Sequence, residues 1–335
     1  MFDAPMNDTH AAASQMLGVT LVELLISMLL GTLLAMGIVK VYLEHMRAFV
    51  VEEDLSRIQE NGRFALNLLS RELMQAGLYG GHLSAGKITS VNLAKDCSAI
   101  GPWALELETP IEHISDFSGS LLTGSGTSFN CVNPSKVQPG TDIFSVKRTA
   151  NVATLRDGVY QSNPRKTQWY LRFRDYGATN EWFYNNTSGF PAVDVGTGSK
   201  TDYWEFYSKV FYLRKYATTP SDNIPTLCVA MLAGKGMVGE CLIEGIEDMQ
   251  LDFGIDIDGD GIANQFVSDP NAPQIASAVS TRISLLLRGV NPIVGYTNQK
   301  SFRLGAKQVP AKNDAFLRRV MTTTVQLRNV VNVGV

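Results

Sequence analysis

The chain has 335 residues, of which 45% are hydrophobic, and a formal net charge of −3. This length accommodates an extended helix together with one large or two small globular units. The near-neutral charge argues against a nucleic-acid-binding protein that relies on bulk positive charge. The sequence contains no GxSxG, HExxH or P-loop motif and only four histidines, so it predicts no catalytic residues.

The first predicted element is an apolar stretch near the N-terminus. From Val19 to Val39, Glu23 is the only charged residue. At 1.5 Å rise per residue this stretch would form a helix about 31 Å long, which matches the hydrocarbon core of a bilayer. A carboxylate in that environment costs about 2.5–3.5 kcal/mol. We therefore expect Glu23 to have a partner or a function.

Residues 18–23, with the sequence GVTLVE, resemble the class III signal of type IV prepilins and pseudopilins. The resemblance implies that residues 1–18 are a leader peptide, which a membrane peptidase removes by cleaving after Gly18. It also implies that Val19 is then N-methylated and that Glu23 neutralises the terminal amine of a neighbouring subunit. An ion pair in low dielectric costs far less than an isolated charge. The alternative is a plain signal anchor in which the acid occurs by chance.

The helical pattern continues beyond the apolar stretch. Gly77 and the pair Gly80-Gly81 are predicted to end it, which gives one helix from Val19 to about Ala76. Two helices with a hinge near Lys40 are the alternative. The second half carries one apolar stripe with three- and four-residue steps, made of Leu55, Ile58, Gly62, Leu66, Leu69 and Leu73.

After residue 81 the sequence changes to short strands and turn-rich loops. The clearest alternation of apolar and polar residues runs over Ala278–Arg288 and is broken only at Leu286. The least decipherable region, 84–240, is expected to carry large insertions or a second small sheet. The predicted strands are Asp142–Arg148, Gln168–Arg174, Tyr203–Leu213, Cys241–Phe253, Ala278–Arg288 and Arg319–Val331.

The predicted fold class is α+β, with a long N-terminal helix packed against an antiparallel β-sheet head, as in type IV pilins. Residues 19–43 would form the membrane-spanning half of the helix, and residues 44–80 its periplasmic half. Residues 81–335 would form the β-rich head. The chain would be a single-pass protein of the inner membrane, with a cytoplasmic N-terminus and a periplasmic head.

Two further stretches narrow the resemblance to PilW-type minor pilins. Residues 57–65 (RIQENGRFA), with AGLYG at 76–80, resemble the helix segment of that family. Arg318-Arg319 and TTVQLRN at 323–329 resemble its closing strand. The resemblance implies a subunit processed by prepilin peptidase that joins other minor pilins and the major pilin. Together they would form a complex that primes or caps the type IV pilus, with a pilus-tip adhesin as a further partner.

Two other functions remain open at this point. The same architecture serves the large minor pseudopilin of type II secretion. Alternatively, the head is a tip receptor that binds DNA or a surface ligand. Aromatic residues occupy both faces of the predicted strand Tyr203–Leu213, which favours core packing over a stacking surface. The basic pairs are scattered and are predicted to form solvated surface: Lys147-Arg148, Arg165-Lys166, Arg214-Lys215 and Arg318-Arg319.

The four cysteines are even in number and would lie in the oxidising periplasm, so disulfides are expected. Four cysteines allow three different sets of disulfide pairs. Sequence proximity favours Cys97–Cys131 and Cys228–Cys241, each stabilising the fold by about 3–4 kcal/mol in the loop-entropy model. The spacing of the cysteines does not match a zinc motif.

Residues 256–264 have the sequence DIDGDGIAN, which matches the first nine positions of an EF-hand-like calcium loop. The carboxylates of Asp256, Asp258 and Asp260 would converge on the ion. Ile262 would offer its carbonyl, and Asn264 a side-chain oxygen, directly or through water.

This loop departs from the complete motif at its end. The twelfth position is Val267 instead of a bidentate glutamate, and no exiting helix is predicted. Asp269 would replace the glutamate only in a wider loop. The alternative to a Ca²⁺ site is an acidic hairpin turn, because Asp-Gly pairs form tight turns without metal.

Overall fold

The computed structural model describes residues 18–80, 88–89, 91–98, 102–123, 126 and 128–330. Backbone contacts divide the chain into two units, with the boundary between Glu52 and Glu53. Helix α1, Leu21–Met74, contributes residues to both units. The predicted leader, apart from Gly18, lies outside the described residues.

In the first unit, every described residue from 18 to 50 is exposed. Apolar side chains cover all sides of the helix here, as the sequence predicts. This part of α1 is long and apolar enough to cross a membrane.

The second unit contains the rest of α1 and all of the strands. A short helix, α2, spans Ala272–Ala276. The strands are β1 Ile111–Ile114, β2 Ile143–Thr149, β3 Leu155–Arg156, β4 Val159–Tyr160, β5 Gln168–Arg174, β6 Thr179–Asn185, β7 Thr201–Arg214, β8 Thr226–Ala233, β9 Gly236–Glu244, β10 Ile246–Ile255, β11 Gln265–Val267, β12 Ala278–Arg288, β13 Phe302–Leu304, β14 Lys307–Val309 and β15 Arg318–Gln326.

The larger sheet has nine strands, β1 to β9, and is antiparallel throughout. Its longest strand, β7, pairs with β5 through its first half and with β2 and β8 through its second half. This sheet occupies much of the region 84–240. The sequence predicts large insertions or a second small sheet in that region; a second sheet is present there, but it is the larger of the two main sheets.

The smaller main sheet has the strand order β11-β10-β12-β15, and α1 packs against it. The apolar stripe of α1 is buried as predicted at Ile58, Leu69 and Leu73. The close approach depends on Gly62, because a Cβ at that position would meet the side chains of Leu287 and Met321. The fold class predicted from the sequence is confirmed in the second unit.

Strand β12 has the predicted bounds, and the structure explains the break at Leu286. The side chain of Leu286 is fully buried in a separate cluster with Leu304 and Val309 of the hairpin β13–β14. Both faces of β12 are therefore covered, one of them by this hairpin. Strict alternation is expected only where one face of a strand meets water.

The predicted strand Cys241–Phe253 is two strands in the structure, β9 and β10. Gly245 separates them with a φ of +81°, a conformation that residues with a side chain rarely adopt. β9 pairs with β8 in the larger sheet, whereas β10 pairs with β12 in the smaller one. Gly245 is thus the point at which the chain passes from one sheet to the other.

Three aromatic residues of β7, Tyr203, Phe206 and Phe211, are core residues, as predicted, whereas Trp204, Tyr207 and Tyr212 are partly buried. Tyr203 belongs to a small cluster with Phe190. Phe206 packs in a second cluster, and Phe211 in the cluster that also contains the α1 stripe. One strand thus contributes to three apolar clusters, which is why neither of its faces is polar.

The prediction that all four basic pairs are solvated was wrong for Lys147, Arg148 and Arg318. The Lys147 side chain is buried and its Nζ lies 2.8 Å from Glu106 Oε2. Arg318 is buried between Glu247 and Asp314. Each buried cation has a carboxylate partner, which lowers the cost of removing the charge from water.

The most connected of these carboxylates is Glu72, on the last turns of α1. Arg148 of β2 donates from Nε and Nη2 to its two oxygens, at 2.8 and 3.0 Å. Lys209 of β7 donates to Oε1 at 2.6 Å. Burial alone raises the pKa of Glu72, but the hydrogen bond from Arg148 and the charges of both cations outweigh it and lower the pKa below its ordinary value.

We expect Glu72→Gln to destabilise the chain by about 3–5 kcal/mol at neutral pH, because it leaves Arg148 and Lys209 buried without their anion. A lowered carboxyl pKa stabilises the fold above the pKa of the unfolded chain, and this contribution is lost as the pH falls through the folded-state value. The wild type should therefore lose stability below about pH 4.5 more steeply than the variant. Denaturant unfolding of the full chain in detergent at several pH values measures both effects. Glu60→Gln, at an exposed position on the same helix, is the control, and equal stability of the two variants would contradict the prediction.

Candidate assembly helix and acidic loop

The carboxylate of Glu23 has a local partner at the start of α1. Its Oε2 accepts hydrogen bonds from the backbone N–H and the hydroxyl of Thr20, both at 3.1 Å. The Glu23 N–H donates in return to Thr20 Oγ1 at 3.3 Å. This reciprocal arrangement is a capping box, which satisfies backbone donors that a helix start leaves unpaired. The T-x-x-E pattern at residues 20–23 is the sequence signal of this capping box.

The predicted cleavage site lies just before this cap. Gly18 and Val19 are exposed, and Val19 exposes 73% of its surface. A Cβ built on Gly18 meets no described atom within 4 Å. The roles of Gly18, Val19 and Glu23 in processing and assembly remain predictions.

The helix that follows presents a large apolar surface. Exposed apolar patches of this extent mark contacts with lipid or with other proteins. The large apolar side chains between residues 24 and 39 that are at least half exposed are Leu24, Leu25, Ile26, Met28, Leu29, Leu30, Leu33, Leu34, Met36, Ile38 and Val39.

The three predicted acidic ligands meet in the loop between β10 and β11. One carboxylate oxygen from each of Asp256, Asp258 and Asp260 lies within 4.8 Å of the other two. Asn264 borders the cluster: its side-chain oxygen accepts from the Ile257 N–H at 2.6 Å, and its amide donates to Asp258 at 3.2 Å. The loop thus brings together four of the five predicted ligand residues.

The remaining features of the loop separate it from a complete EF-hand. The Ile262 N–H donates to Asp260 at 2.8 Å. Val267 pairs with Phe253 in the hairpin of β10 and β11, so the position of the usual glutamate belongs to a strand. Asp269 is exposed and is not part of the acidic cluster. Carboxylate oxygens are among the ligands that Ca²⁺ prefers.

Asp256 is the acid that the loop backbone holds most firmly. Its two oxygens accept hydrogen bonds from Gly259 N at 2.7 Å and Gly261 N at 2.8 Å. These bonds, with the one from Gly261 largest, lower the pKa of Asp256 below its ordinary value of 3.8. Asp256 therefore stays ionised in mild acid.

The cysteines form Cys97–Cys131 and Cys228–Cys241, the two pairs favoured by sequence proximity. Cys228 and Cys241 face each other across β8 and β9, so this disulfide reinforces a pair of neighbouring strands. Free cysteines are absent from the described residues.

Residues 210–329 match a family model described as Type IV Pilus-assembly protein W, or PilW. The match runs from the second half of β7 through β15 and covers a little over a third of the chain. It confirms the predicted resemblance to PilW-type minor pilins in this region. Among solved structures, a type IV-like pilin from Thermus thermophilus is similar at 11% sequence identity with a TM-score of 0.33, over 82% of this chain and 97% of that one. No curated protein matches the chain.

We expect the Asp256 carboxyl to titrate at a lower pH than 3.8, because both of its oxygens accept backbone hydrogen bonds that favour the ionised form. Carboxyl ¹³C chemical shifts of aspartate-labelled protein, followed from neutral pH to acid without divalent cations, measure it. The Asp256→Asn variant assigns the resonance. An Asp256 midpoint at or above 3.8 would contradict the hydrogen bonding described for this loop.

Proposed function

We propose that this PilW-type chain is a minor pilin that takes part in type IV pilus assembly. The observation that carries the proposal is the exposed apolar segment of α1, which continues into a helical segment that packs against a β-sheet head. The PilW-type region at residues 210–329 supports a role of this chain in the type IV pilus. The proposal gives the chain no catalytic role.

The proposed sequence of events begins with insertion in the inner membrane, with the N-terminus cytoplasmic and the head periplasmic. Prepilin peptidase cleaves after Gly18 and methylates Val19. The chain then joins other minor pilins and the major pilin in a complex that primes or caps the pilus, with a tip adhesin as a further partner. Glu23 has two roles in this scheme: it caps its own helix, and it is the counter-ion for the amine of a neighbouring subunit.

The main alternative is a minor pseudopilin of type II secretion, because the helix and the head suit both machines. The PilW-type region favours the pilus. Neighbouring genes for other minor pilins support the pilus, and neighbouring secretion genes support the alternative. A receptor for DNA or a surface ligand lacks comparable support, since the aromatic side chains of β7 contribute to the core.

Variants at the N-terminus test the proposal in cells. Gly18→Val should abolish processing, because the peptidase requires the small residue before the cut. Glu23→Ala should process normally but lose pili. Glu23→Gln keeps an acceptor for the capping box and removes the charge. If the charge is needed for assembly, Glu23→Gln will also lose pili.

Immunoblots report processing, and electron microscopy of sheared pili reports assembly. Glu44→Gln, which removes a charge from the exposed part of the same helix, is the matched control. Normal processing of Gly18→Val together with normal pili in both Glu23 variants would refute the pilin proposal. Pili in Glu23→Gln but not in Glu23→Ala would leave Glu23 with the capping role alone.

We also propose that the loop at residues 256–264 binds Ca²⁺. The support is the convergence of Asp256, Asp258 and Asp260, with Asn264 at the edge of the cluster. Three neighbouring carboxylates repel one another without a cation. Binding would remove this repulsion and order the hairpin of β10 and β11, which is part of the smaller main sheet.

Ca²⁺ should raise the melting temperature of the full chain in detergent, because a ligand that binds only the folded state stabilises it in proportion to the logarithm of its concentration. EDTA should reverse the shift, and Asp258→Asn combined with Asp260→Asn should abolish it. Asp269→Asn, which lies outside the cluster, is the control and should keep it. A melting temperature that does not respond to Ca²⁺ in the wild type would rule out the site.

A further inference from the structure

Strand β15 forms one edge of the smaller main sheet. On one side it pairs with β12, in a register that runs without a shift from Arg318 to Gln326. Its other side pairs with no strand of the described chain. From Val320 to Gln326 the strand has the sequence VMTTTVQ, which contains no charged residue, proline or glycine. Threonine and valine are residues that favour strands.

The backbone of β15 faces its open side at every second residue. At one end of the pairing, the Leu327 N–H donates to the Val279 carbonyl at 2.9 Å, and at the other end the Gly289 N–H donates to the Leu317 carbonyl at 2.9 Å. Because backbone groups alternate in direction along an antiparallel strand, the odd-numbered residues bond β12 and the even-numbered residues point away from it. The outward N–H and C=O groups of the even-numbered residues from 320 to 326 have no hydrogen-bond partner among the described residues.

The open side of β15 is uncovered over the second half of the strand. One face of the strand packs in the α1 cluster through Val325, and the other meets the hairpin β13–β14 at Val320. Beyond Val320, the side chains of Thr322, Thr324 and Gln326 are exposed. Described residues therefore leave this side of the strand uncovered from Thr322 to Gln326.

Strand β15 lacks the features by which proteins protect the edges of sheets. Protected edges are short, charged, bulged or covered. In the larger sheet, the edge strand β9 carries Glu240 and Glu244, β6 carries Glu181, and β1 is fully buried. At the opposite edge of the smaller sheet, β11 has only three residues. Among the described edges, β15 thus combines length, regular pairing and an uncharged sequence, which suits the addition of a strand from another chain.

Two arginines lie at the ends of the uncharged segment. Arg319 and Arg328 are both exposed, and neither forms an ion pair with a described carboxylate. A second copy of β15 paired along its whole length would place arginines beside arginines in either orientation. Like charges opposite each other destabilise a strand pair, whereas opposite charges stabilise it. The charges therefore favour a different chain, with carboxylates near both ends of its pairing segment.

We propose that β15 pairs edge to edge with an extended strand of another pilus protein, which is uncharged in its centre and carries carboxylates near both ends. The inference rests on the proposed function for the class of the partner. The outward backbone groups of β15 hold the added strand, because main-chain hydrogen bonds supply the affinity in strand addition. Arg319 and Arg328 set its register and disfavour a second copy of this chain. The contact extends the smaller sheet by one strand.

Thr324→Pro in the full chain tests the backbone contact. The Thr324 N–H points away from β12, so proline removes an outward donor without removing a hydrogen bond to β12. Thr324→Val, which keeps the N–H and the strand propensity, is the matched control. We expect the two variants to have similar melting temperatures in detergent. Co-purification with other pilus proteins should fall about tenfold or more in Thr324→Pro alone. Equal co-purification of the two variants would overturn the inference.

Arg319→Glu combined with Arg328→Glu tests the charges at the ends. The reversal places acids beside the acids of the partner strand, so co-purification should fall here as well. Lys136→Glu combined with Lys166→Glu is the control, because both lysines are exposed and the change in net charge is the same. A loss of equal size in the control pair would contradict the acidic ends of the partner strand.

Cross-linking in cells identifies the partner, and it decides the question if Thr324→Pro fails to fold. A photoreactive amino acid at the exposed Gln326 should form an adduct with another protein, within a segment of the composition proposed above, which mass spectrometry locates. The same amino acid at Val193, which is 80% exposed on the head, is the control. An adduct with a second copy of this chain, or a yield no greater than at Val193, would overturn the inference.

The identity of the cross-linked protein separates this inference from the proposed function. A pilus protein in the Gln326 adduct supports both. A type II secretion protein, captured through a segment of the proposed composition, supports the strand pairing and refutes the pilus as the destination of the chain. If deletion of the gene abolishes pili but Thr324→Pro assembles as Thr324→Val does, the proposed function stands and the strand pairing falls.

Discussion

The packing of one helix stripe against the two main sheets is the contact on which the second unit depends. Ile58, Leu69 and Leu73 of α1 share a single apolar cluster with strands of both sheets. Gly62 contributes to the closeness of this packing, since a Cβ there would displace the side-chain ends of Leu287 and Met321. Glu72 adds a polar link from the same helix to β2 and β7. One face of residues 53–74 is thus part of the head core.

The features that could be predicted from the sequence are those encoded in short-range patterns. The α1 stripe repeats every three or four residues, and the bounds of β12 follow from the alternation over 278–288. The disulfides join cysteines that are close in sequence. The clustering of the acidic loop could be predicted because its three aspartates occupy alternate positions in a nine-residue segment. Apart from Cys97–Cys131, which are 34 residues apart, the interactions that determine these features join residues within about one or two elements of the chain. The hydrophobic period and the turn residues of those elements can be recognised in the sequence.

The features that could not be predicted depend on distant partners. A basic pair such as Lys147-Arg148 looks solvated until the structure brings Glu106 and Glu72 beside it. The sequence likewise does not show that the chain passes from one sheet to the other at Gly245. Residues 241–253 have the pattern of one strand, and only the different partners of β9 and β10 separate them. The capping box of Thr20 and Glu23 does not depend on distant partners, because its T-x-x-E signal is local in the sequence.

The long separation along the chain between α1 and its last partner has a consequence for biosynthesis. Met321 of β15 lies beside Gly62, and Asn329 donates to the carbonyl of Met74 at 3.4 Å, from 255 residues further along. During translation the stripe emerges long before its closing strand. Until β15 arrives the stripe is incompletely covered, so a chain that stops early keeps apolar surface exposed. Contacts of such range also slow folding. A chain that stops before β15 is therefore expected to be prone to aggregation or proteolysis.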